Sequence, residues 1–294
     1  MALIPPFFLD CVVAIGEIRA NGDRSWAATG FIYGHLVARE SPEKADYRTY
    51  LVTNRHVVIG KTRVLLRFNP KGGAPAKEYM AALVDGSGKP IWFAPSDPQV
   101  DVAVVPIDYA MIENDGIQTA AFLSDRHVAD ISKMFGAGIT EGDFVYVLGF
   151  PFGDVGDQRS FVITRGGVLA RIGDALARRT AYFLVDALVF PGNSGGPVVS
   201  KPEAVAIQGT QGHTSADLIG VIAGYIPYRD AAVSEQTGLV RIIFEDNSGL
   251  SLAYPIDYVT EAILLHLKTI APSQPGLARG SDLSPEGVKL NPPT

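Results

Sequence analysis

The stretch Pro191-Gly192-Asn193-Ser194-Gly195-Gly196-Pro197 combines one hydroxyl nucleophile with three glycines. Glycine adopts backbone angles that other residues avoid, so this stretch predicts a tight loop and not a helix or a strand interior. Such a loop can expose the Ser194 hydroxyl and direct the backbone N–H groups of Gly192 and Ser194 to one point, where the oxyanion of a reaction intermediate would bind. A Gly-rich hairpin turn explains the same residues without any chemistry.

A serine hydroxyl is a weak nucleophile unless a base removes its proton and an acidic group orients that base. His56 follows a β-rich run, and Asp101 opens an apolar segment that would bury its carboxylate. A buried carboxylate is costly without a partner. Alone, His56 is explained as a structural or surface histidine and Asp101 as a turn or capping residue. Their occurrence together with the serine loop, in the order His, Asp, Ser, favours a catalytic triad.

Three separate blocks resemble the pattern of trypsin-like serine peptidases, and most of all that of HtrA-type bacterial enzymes. They are Thr53-Asn-Arg-His56-Val, Asp101-Val-Ala-Val and Gly192-Asn-Ser194-Gly-Gly-Pro, with triad positions ~45 and ~93 residues apart. Two further stretches, Gly149-Phe-Pro151 and Leu250-Ser-Leu-Ala-Tyr-Pro255, resemble HtrA-type sequence. The resemblance covers about residues 10–268.

The resemblance implies that Ser194 is the nucleophile, His56 the general base and then acid, and Asp101 the residue that orients His56. The N–H groups of Gly192 and Ser194 would form the oxyanion hole. The reaction implied is hydrolysis of peptide bonds in proteins through an acyl-enzyme, without a cofactor or a metal. Asn193 stands where many secreted digestive members have an aspartate that pairs with a new amino terminus, which argues against activation by N-terminal cleavage.

Substrate preference follows from the same resemblance. In the family, the residue six positions before the serine lines the base of the primary specificity pocket, and here it is Leu188. Ala223, Gly224 and Tyr225 are assigned to the strand that walls the pocket. An apolar base has no countercharge for Lys or Arg, whose unpaired burial is costly. We therefore predict cleavage after small or medium apolar residues such as Val, Ala or Leu.

Short segments rich in Val, Ile, Thr and aromatic residues recur between Gly- and Pro-rich loops, which is typical of an all-β protein. Two series of about six strands suggest a pair of small barrels or sandwiches; the resemblance implies two six-stranded antiparallel β-barrels of chymotrypsin type. We expect an N-terminal barrel over residues 1–125, with His56 and Asp101, and a C-terminal barrel over 126–268, with Ser194. The last strands of the second series are predicted at Leu218–Tyr225 and Ser251–Tyr254.

The end of the chain divides into two parts. Apolar residues at helical spacing after Pro255 predict a C-terminal α-helix, supported by Lys268 in the last turn. The following segment is rich in Pro, Gly and Ser and lacks aromatic residues, so we expect residues 269–294 to form a disordered tail.

Composition restricts the partners. The net charge of −6 argues against nucleic acid, because phosphate binding requires clustered Lys and Arg. Cys11 is the only cysteine, which excludes an intrachain disulfide and favours a reducing compartment. The first ten residues lack a basic flank and are a poor signal peptide, and no run of eighteen apolar residues exists. We expect a cytoplasmic protein that acts on proteins or peptides; a homo-oligomer or a regulatory partner protein is left open.

Three alternatives were weighed. Gly192-Asn-Ser194-Gly-Gly196 also fits the G-x-S-x-G pattern of an α/β-hydrolase, but Pro197-Val-Val follows where that fold needs a helix. The histidines are dispersed without metal-ligand spacing, which disfavours a metalloenzyme. A catalytically silent pseudo-protease that binds peptides remains the main rival, because an intact triad in sequence does not prove that the triad assembles.

Overall fold

The computed structural model describes residues 4–41, 44–118, 120–203, 208–270 and 290–291. Strands dominate, and the expected all-β class with a C-terminal helix is confirmed. The strands are β1 (Val12–Ile18), β2 (Arg24–Arg39), β3 (Ala45–Thr53), β4 (Arg63–Phe68), β5 (Lys77–Ala82), β6 (Ala103–Pro106), β7 (Phe122–Leu123), β8 (Phe144–Gly149), β9 (Ile163–Arg171), β10 (Phe183–Asp186), β11 (Pro197–Ser200), β12 (Leu218–Val233), β13 (Val240–Pro255) and β14 (Leu290–Asn291). The helices are α1 (Phe7–Asp10), α2 (Arg55–Val58), α3 (Tyr109–Asn114), α4 (Ile131–Gly136), α5 (Gly173–Leu176) and α6 (Asp257–Ile270).

The back half closes into a six-stranded barrel in the order β10-β13-β12-β11-β8-β9, as expected. The front half has the strand order β14-β5-β4-β1-β2-β3-β6, with β7 parallel to β2, and its ladder does not close within the described residues. The expectation of a second closed barrel is therefore corrected to a half-barrel sheet. The segment between β5 and β6 contains Pro90, Pro95 and Pro98, which lack the N–H that a ladder requires.

Three clusters of buried side chains stabilise this arrangement. One fills the front sheet and includes Ile15, Leu51 and Leu66. A second fills the back barrel. The third lies between the halves, where side chains such as Phe31 and Leu148 pack together. The halves therefore share a continuous apolar interface, and residues from both can be held in a fixed relation across it.

Helix α6 belongs to the back half by sequence but packs onto the front half. The hydroxyl of Tyr50 and Nδ1 of His266 are 3.0 Å apart, and the ring of Phe93 lies 4.6 Å from that of His266. Glu261 accepts hydrogen bonds from the backbone and the hydroxyl of Ser96. With 14 residues, α6 is the longest helix of the described chain, and none of the helices described is long and apolar enough to cross a membrane.

Two strands are longer than the sequence predicts. β12 continues eight residues beyond the expected end at Tyr225, and β13 begins well before the expected start at Ser251. The two extensions pair with each other and are mostly exposed. We call residues 226–249 the hairpin arm. Charged residues interrupt the apolar pattern here, and the sequence pattern predicted no strand in this segment.

The segment between the two series of strands contains the short elements α3, β7 and α4. The predicted tail from 269 to 294 falls largely outside the described residues. Of its described part, 269 and 270 complete α6, and Leu290–Asn291 pair with β5 opposite Ala81 and Met80.

The burial of His266 predicts a pH-dependent stability. Burial, with a smaller contribution from Arg48, lowers the pKa of His266 below its ordinary 6.5. The unfolded chain therefore binds a proton that the folded chain resists, so this contribution is present above about pH 6.5 and is lost as the pH falls below it. We expect the free energy of unfolding, measured by urea titration, to fall from pH 7.5 to pH 5.5, and to fall less in His266→Phe.

Burial also lowers the pKa values of His35 and His127, so the variant should keep part of the pH dependence. The comparison is between slopes, because His266→Phe leaves the Tyr50 hydroxyl without its partner and changes the absolute stability. Equal slopes for wild type and His266→Phe would contradict the assignment.

Candidate active site

His56 and Asp101 lie in direct contact. Nδ1 of His56 is 2.5 Å from Oδ2 of Asp101, and the backbone N–H of His56 donates to Oδ1 of the same carboxylate at 2.9 Å. A carboxylate accepts hydrogen bonds, so Nδ1 of His56 is the donor in this contact, and in a neutral imidazole Nε2 then carries the lone pair. The contact therefore orients an imidazole whose free nitrogen can act as a base.

The chain around this pair is held by its neighbours. β3 ends at Thr53, and the buried Asn54 donates a hydrogen bond from Nδ2 to the carbonyl of Asp101 at 2.6 Å. Arg55 donates to the carbonyls of Pro95 and Asp97, in the loop that leads to Asp101. The loop carrying the acid is thereby tied to the short helix α2 that carries the histidine.

Ser194 lies on the glycine loop that packs against the same strand end. The next residue, Gly195, has φ +85°, and a Cβ placed on it would lie 2.3 Å from Oγ1 of Thr53. The hydroxyl of Ser194 donates to the carbonyl of Ala223 at 3.3 Å. Within the described residues no hydrogen bond joins Ser194 to His56, so assembly of the complete triad stays a prediction.

The backbone of Gly192 is fixed on both sides. The carbonyl of Pro191 accepts a hydrogen bond from the N–H of Phe152 at 2.7 Å, and the carbonyl of Gly192 accepts one from Oγ1 of Thr29 at 2.6 Å. A planar trans peptide directs its N–H opposite to its carbonyl oxygen, so the N–H of Gly192 is directed away from Phe152. In the described part of the chain, neither the N–H of Gly192 nor that of Ser194 donates to a protein acceptor. Both remain available to an oxyanion.

Only glycine fits at position 192. Its φ is +101°, and a Cβ would lie 2.2 Å from the carbonyl oxygen of Phe150. The opposing turn, Pro151–Gly153, holds Phe152 at φ 60°, which is unusual for a residue with a side chain. The ring of Phe152 packs on that of Phe190, with centroids 4.5 Å apart. The block Gly149-Phe-Pro151, noted in the sequence as HtrA-like, thus leads into the turn that supports the serine loop.

Thr29 is a site residue that sequence reasoning missed. It is fully buried, and its N–H donates to the carbonyl of Ser194 at 2.8 Å. Its hydroxyl donates to Gly192 and accepts from the N–H of Phe150 at 3.1 Å. Thr29 lies inside strand β2, in a run of residues that the structure shows to be buried. Nothing in the local sequence distinguishes it from other strand residues.

Asn193 is buried and bonded within its own loop. Its Oδ1 accepts from the N–H of Phe190 at 3.1 Å, and its backbone N–H donates to the carbonyl of Phe190 at 2.9 Å. Its Nδ2 has no partner among the described residues. A neutral amide meets these contacts without burying a charge.

A family model identifies the family of this chain. Residues 28–207, which include His56, Asp101 and Ser194, match the family model described as trypsin-like peptidase domain. The chain belongs to the trypsin-like peptidase family. No curated protein matches the sequence.

Among solved structures, the peptidase is similar to the MamO protease domain from Magnetospirillum magneticum in its apo form, with 17% identity and a TM-score of 0.44. That match covers 87% of this chain and 96% of the other. It is also similar to a protein titled HBP, solved at atomic resolution, with 11% identity and a TM-score of 0.44. That match covers 94% of this chain and 98% of the other.

The residues expected to shape the specificity pocket of the peptidase occupy two segments. Ala223, Gly224 and Tyr225 lie on β12, and the carbonyl of Ala223 accepts the hydrogen bond from the Ser194 hydroxyl. Leu188 precedes the serine loop and is 50% exposed, so its side chain is open to solvent and not enclosed. The guanidinium of Arg165 lies 5.1 Å from the ring centroid of Phe190, which adds a cation that sequence analysis did not place near this segment. No cluster of His, Cys, Asp or Glu in the described residues could hold a metal ion.

The hydrogen bonds of the Thr29 hydroxyl predict that this residue positions the serine loop. In Thr29→Val the carbonyl of Gly192 and the N–H of Phe150 lose their partner, so the loop can shift while the shape of the side chain is kept. We expect kcat on a peptide substrate to fall about 10- to 100-fold with KM little changed. Thr29→Ser, which keeps the hydroxyl, should recover most of the loss in steady-state kinetics.

Thr180→Val serves as the matched control, because it removes a hydroxyl that bonds only the carbonyl of Tyr182. A similar loss of kcat in Thr29→Val and Thr180→Val, or no recovery in Thr29→Ser, would argue against a specific role for the Thr29 hydroxyl.

Proposed function

We propose that the protein is a serine endopeptidase that hydrolyses peptide bonds in proteins through an acyl-enzyme on Ser194. The observation that carries this proposal is the contact between His56 Nδ1 and Asp101 Oδ2 at 2.5 Å, which leaves Nε2 free as a base. Two unoccupied N–H groups on the adjacent glycine loop supply the second requirement, a site for the oxyanion. Membership of the trypsin-like peptidase family supports the same reaction.

In the proposed reaction Nε2 of His56 removes the proton of the Ser194 hydroxyl as Oγ attacks the carbonyl carbon of the scissile bond. The carbonyl oxygen becomes an oxyanion that accepts hydrogen bonds from the N–H groups of Gly192 and Ser194. The imidazolium then returns the proton to the leaving amine as the C–N bond breaks, which leaves an ester on Ser194. Water, deprotonated by the same nitrogen, hydrolyses the ester and restores the serine.

Asp101 acts through His56. Its carboxylate accepts a hydrogen bond from Nδ1 of His56. This bond fixes the tautomer of the imidazole and stabilises the imidazolium that forms during attack. Ser194 must first exchange its acceptor, from the carbonyl of Ala223 to His56. The present hydrogen bond of 3.3 Å is long for an O–H donor, so little energy opposes this rotation.

We further propose that cleavage follows small or medium apolar residues. Leu188 offers no countercharge to a basic side chain. Half of Leu188 is exposed to solvent. An apolar substrate side chain that packs on it would remove this apolar surface from water, which stabilises the complex.

A second candidate function is a peptide-binding module without turnover. The hydrogen bond from Ser194 to Ala223 in place of one to His56 favours it, because an activated serine requires its base. The two candidates differ in the reactivity of a single hydroxyl, so a covalent probe separates them.

A fluorophosphonate probe tests the proposed activity. We expect the probe to label Ser194, as located by mass spectrometry of the adduct, and Ser194→Ala and His56→Ala to abolish the labelling. On a peptide substrate each variant should lose about 10⁴-fold or more in kcat, and the double variant should lose no more than the single ones, because the groups act as a unit. Folded protein that neither labels nor cleaves denatured proteins would establish the binding module instead.

A peptide library tests the proposed specificity. We expect the residue before the cleaved bond to be Val, Ala or Leu, and Leu188→Asp to shift the profile toward Lys and Arg, because the new carboxylate pairs with their charge. Leu188→Ala controls for the loss of the side chain alone. A wild-type profile dominated by Arg or Lys would refute the proposed pocket.

A further inference from the structure

The hairpin arm exposes a series of large apolar side chains. Six of its β-branched or aromatic side chains are more than half exposed: Tyr228, Val233, Val240, Ile242, Ile243 and Phe244. A two-stranded hairpin is marginally stable in water, and a large exposed apolar patch marks an interaction site. The arm therefore presents a surface that a partner is expected to cover.

Both aromatic side chains of the arm lie on the same face. Tyr228 pairs with Asp246, Asp230 with Phe244 and Ala232 with Ile242, so Tyr228, Phe244 and Ile242 share one face. The opposite face carries Ile243, the paired Val233 and Val240, and the ion pair between Arg229 and Glu245, at 2.9 Å. We call the side with Tyr228, Phe244 and Ile242 the aromatic face.

One edge of the arm is free and leads directly to the nucleophile. β12 pairs with β11 only as far as Val221, whereas its pairing with β13 continues to Val233. From Ala223 to Val233 the other edge of β12 pairs with no strand in the described part of the chain. Ala223 lies at the start of this edge, and its carbonyl accepts a hydrogen bond from the hydroxyl of Ser194. A polypeptide whose scissile bond lies at Ser194 can therefore continue as an added strand along β12.

We propose that the hairpin arm is an extended docking strand for the substrate, covered by the segment N-terminal to the scissile bond. This inference rests on the proposed function, because Ser194 places the substrate. Antiparallel pairing is the more stable ladder, and in it the chain runs from the tip of the arm toward Ala223, so it reaches the nucleophile after passing the arm. The substrate class is an unfolded polypeptide with apolar residues at alternate positions before the cleaved bond.

Side-chain alternation gives the selectivity. Every second residue of the added strand lies on the aromatic face, where it contacts its neighbours across the strands. A folded protein cannot supply about eight consecutive free backbone positions, so the arm selects unfolded segments. Pro227 removes one N–H from β12, which leaves the rest of the edge to form the hydrogen bonds.

Internally quenched peptides of two lengths test the proposal. Both share the residues around the scissile bond, and the long one has about eight further N-terminal residues with Val at alternate positions, enough to span the free edge at ~3.4 Å per residue. A third peptide carries the same extension on the C-terminal side. We expect kcat/KM to be about tenfold higher for the N-terminally extended peptide than for the short one, mostly through KM.

The variants separate the two faces of the arm. A triple variant, Tyr228→Thr, Ile242→Thr and Phe244→Thr, should remove the gain from the extension and leave the short peptide unchanged. Val233→Thr, Val240→Thr and Ile243→Thr together, on the opposite face, are the matched control and should keep the gain. N-methylation of alternate backbone nitrogens in the extension should also remove it, because a methylated nitrogen cannot donate to the edge.

Three outcomes would overturn the proposal. They are a triple variant that keeps the gain, a triple variant that loses activity equally on both peptides, and a gain that arises only from the C-terminal extension. A triple variant that keeps the gain but turns a dimer into a monomer in analytical ultracentrifugation would assign the arm to self-association instead.

Binding to Ser194→Ala, measured by fluorescence anisotropy with the same labelled peptides, separates this proposal from the proposed function. If wild type cleaves nothing while Ser194→Ala binds the long peptide about tenfold more tightly than the short one, and the triple variant does not, the arm binds substrate-like peptides and the peptidase proposal fails. If the long and short peptides bind equally, the arm proposal fails whatever the activity.

Discussion

The close approach between strand β2 and the serine loop is the constraint on which the site depends. Thr29 gives its N–H to the carbonyl of Ser194 and its hydroxyl to the carbonyl of Gly192, so a residue of the front half fixes the backbone of the back half. The approach is possible only because the loop residues facing β2 lack side chains: a Cβ on Gly195 would lie 2.1 Å from the carbonyl oxygen of Thr29. At this point the two halves approach so closely that backbone atoms and the Thr29 hydroxyl make the contact.

The two ends of the site are stabilised by different means. The imidazole of His56 is held by the carboxyl group of Asp101, at the surface of the front half. The serine loop is held by neutral hydrogen bonds from Thr29, Phe152 and Asn193, in an interior where an unpaired charge would be costly. The loop that would bind the oxyanion is therefore held without a charged partner, and within the described residues the N–H groups of Gly192 and Ser194 stay unpaired.

The hairpin arm is formed where two strands of the barrel extend beyond it. β12 pairs with β11 as far as Val221, contacts Ser194 at Ala223 and then continues into solvent, where among the described strands only β13 lies beside it. A barrel removes the free edges of its strands, but a strand that extends beyond the barrel has one again. In this molecule the free edge begins beside Ser194, where the proposed substrate strand would cover it.

The sequence by itself determined the family motifs and much of the strand pattern. His56, Asp101 and Ser194 lie in short motifs that can be identified without the fold, and the β-rich segments Arg63–Phe68 and Pro197–Ser200 form strands that end where turn residues follow. Only the tertiary structure decided the role of Thr29, the open front sheet and the arm. Each depends on partners more than twenty positions away or on a strand that lacks a neighbour. The sequence pattern of β2 is the same whether or not a glycine loop packs on it, and only the folded chain shows that contact.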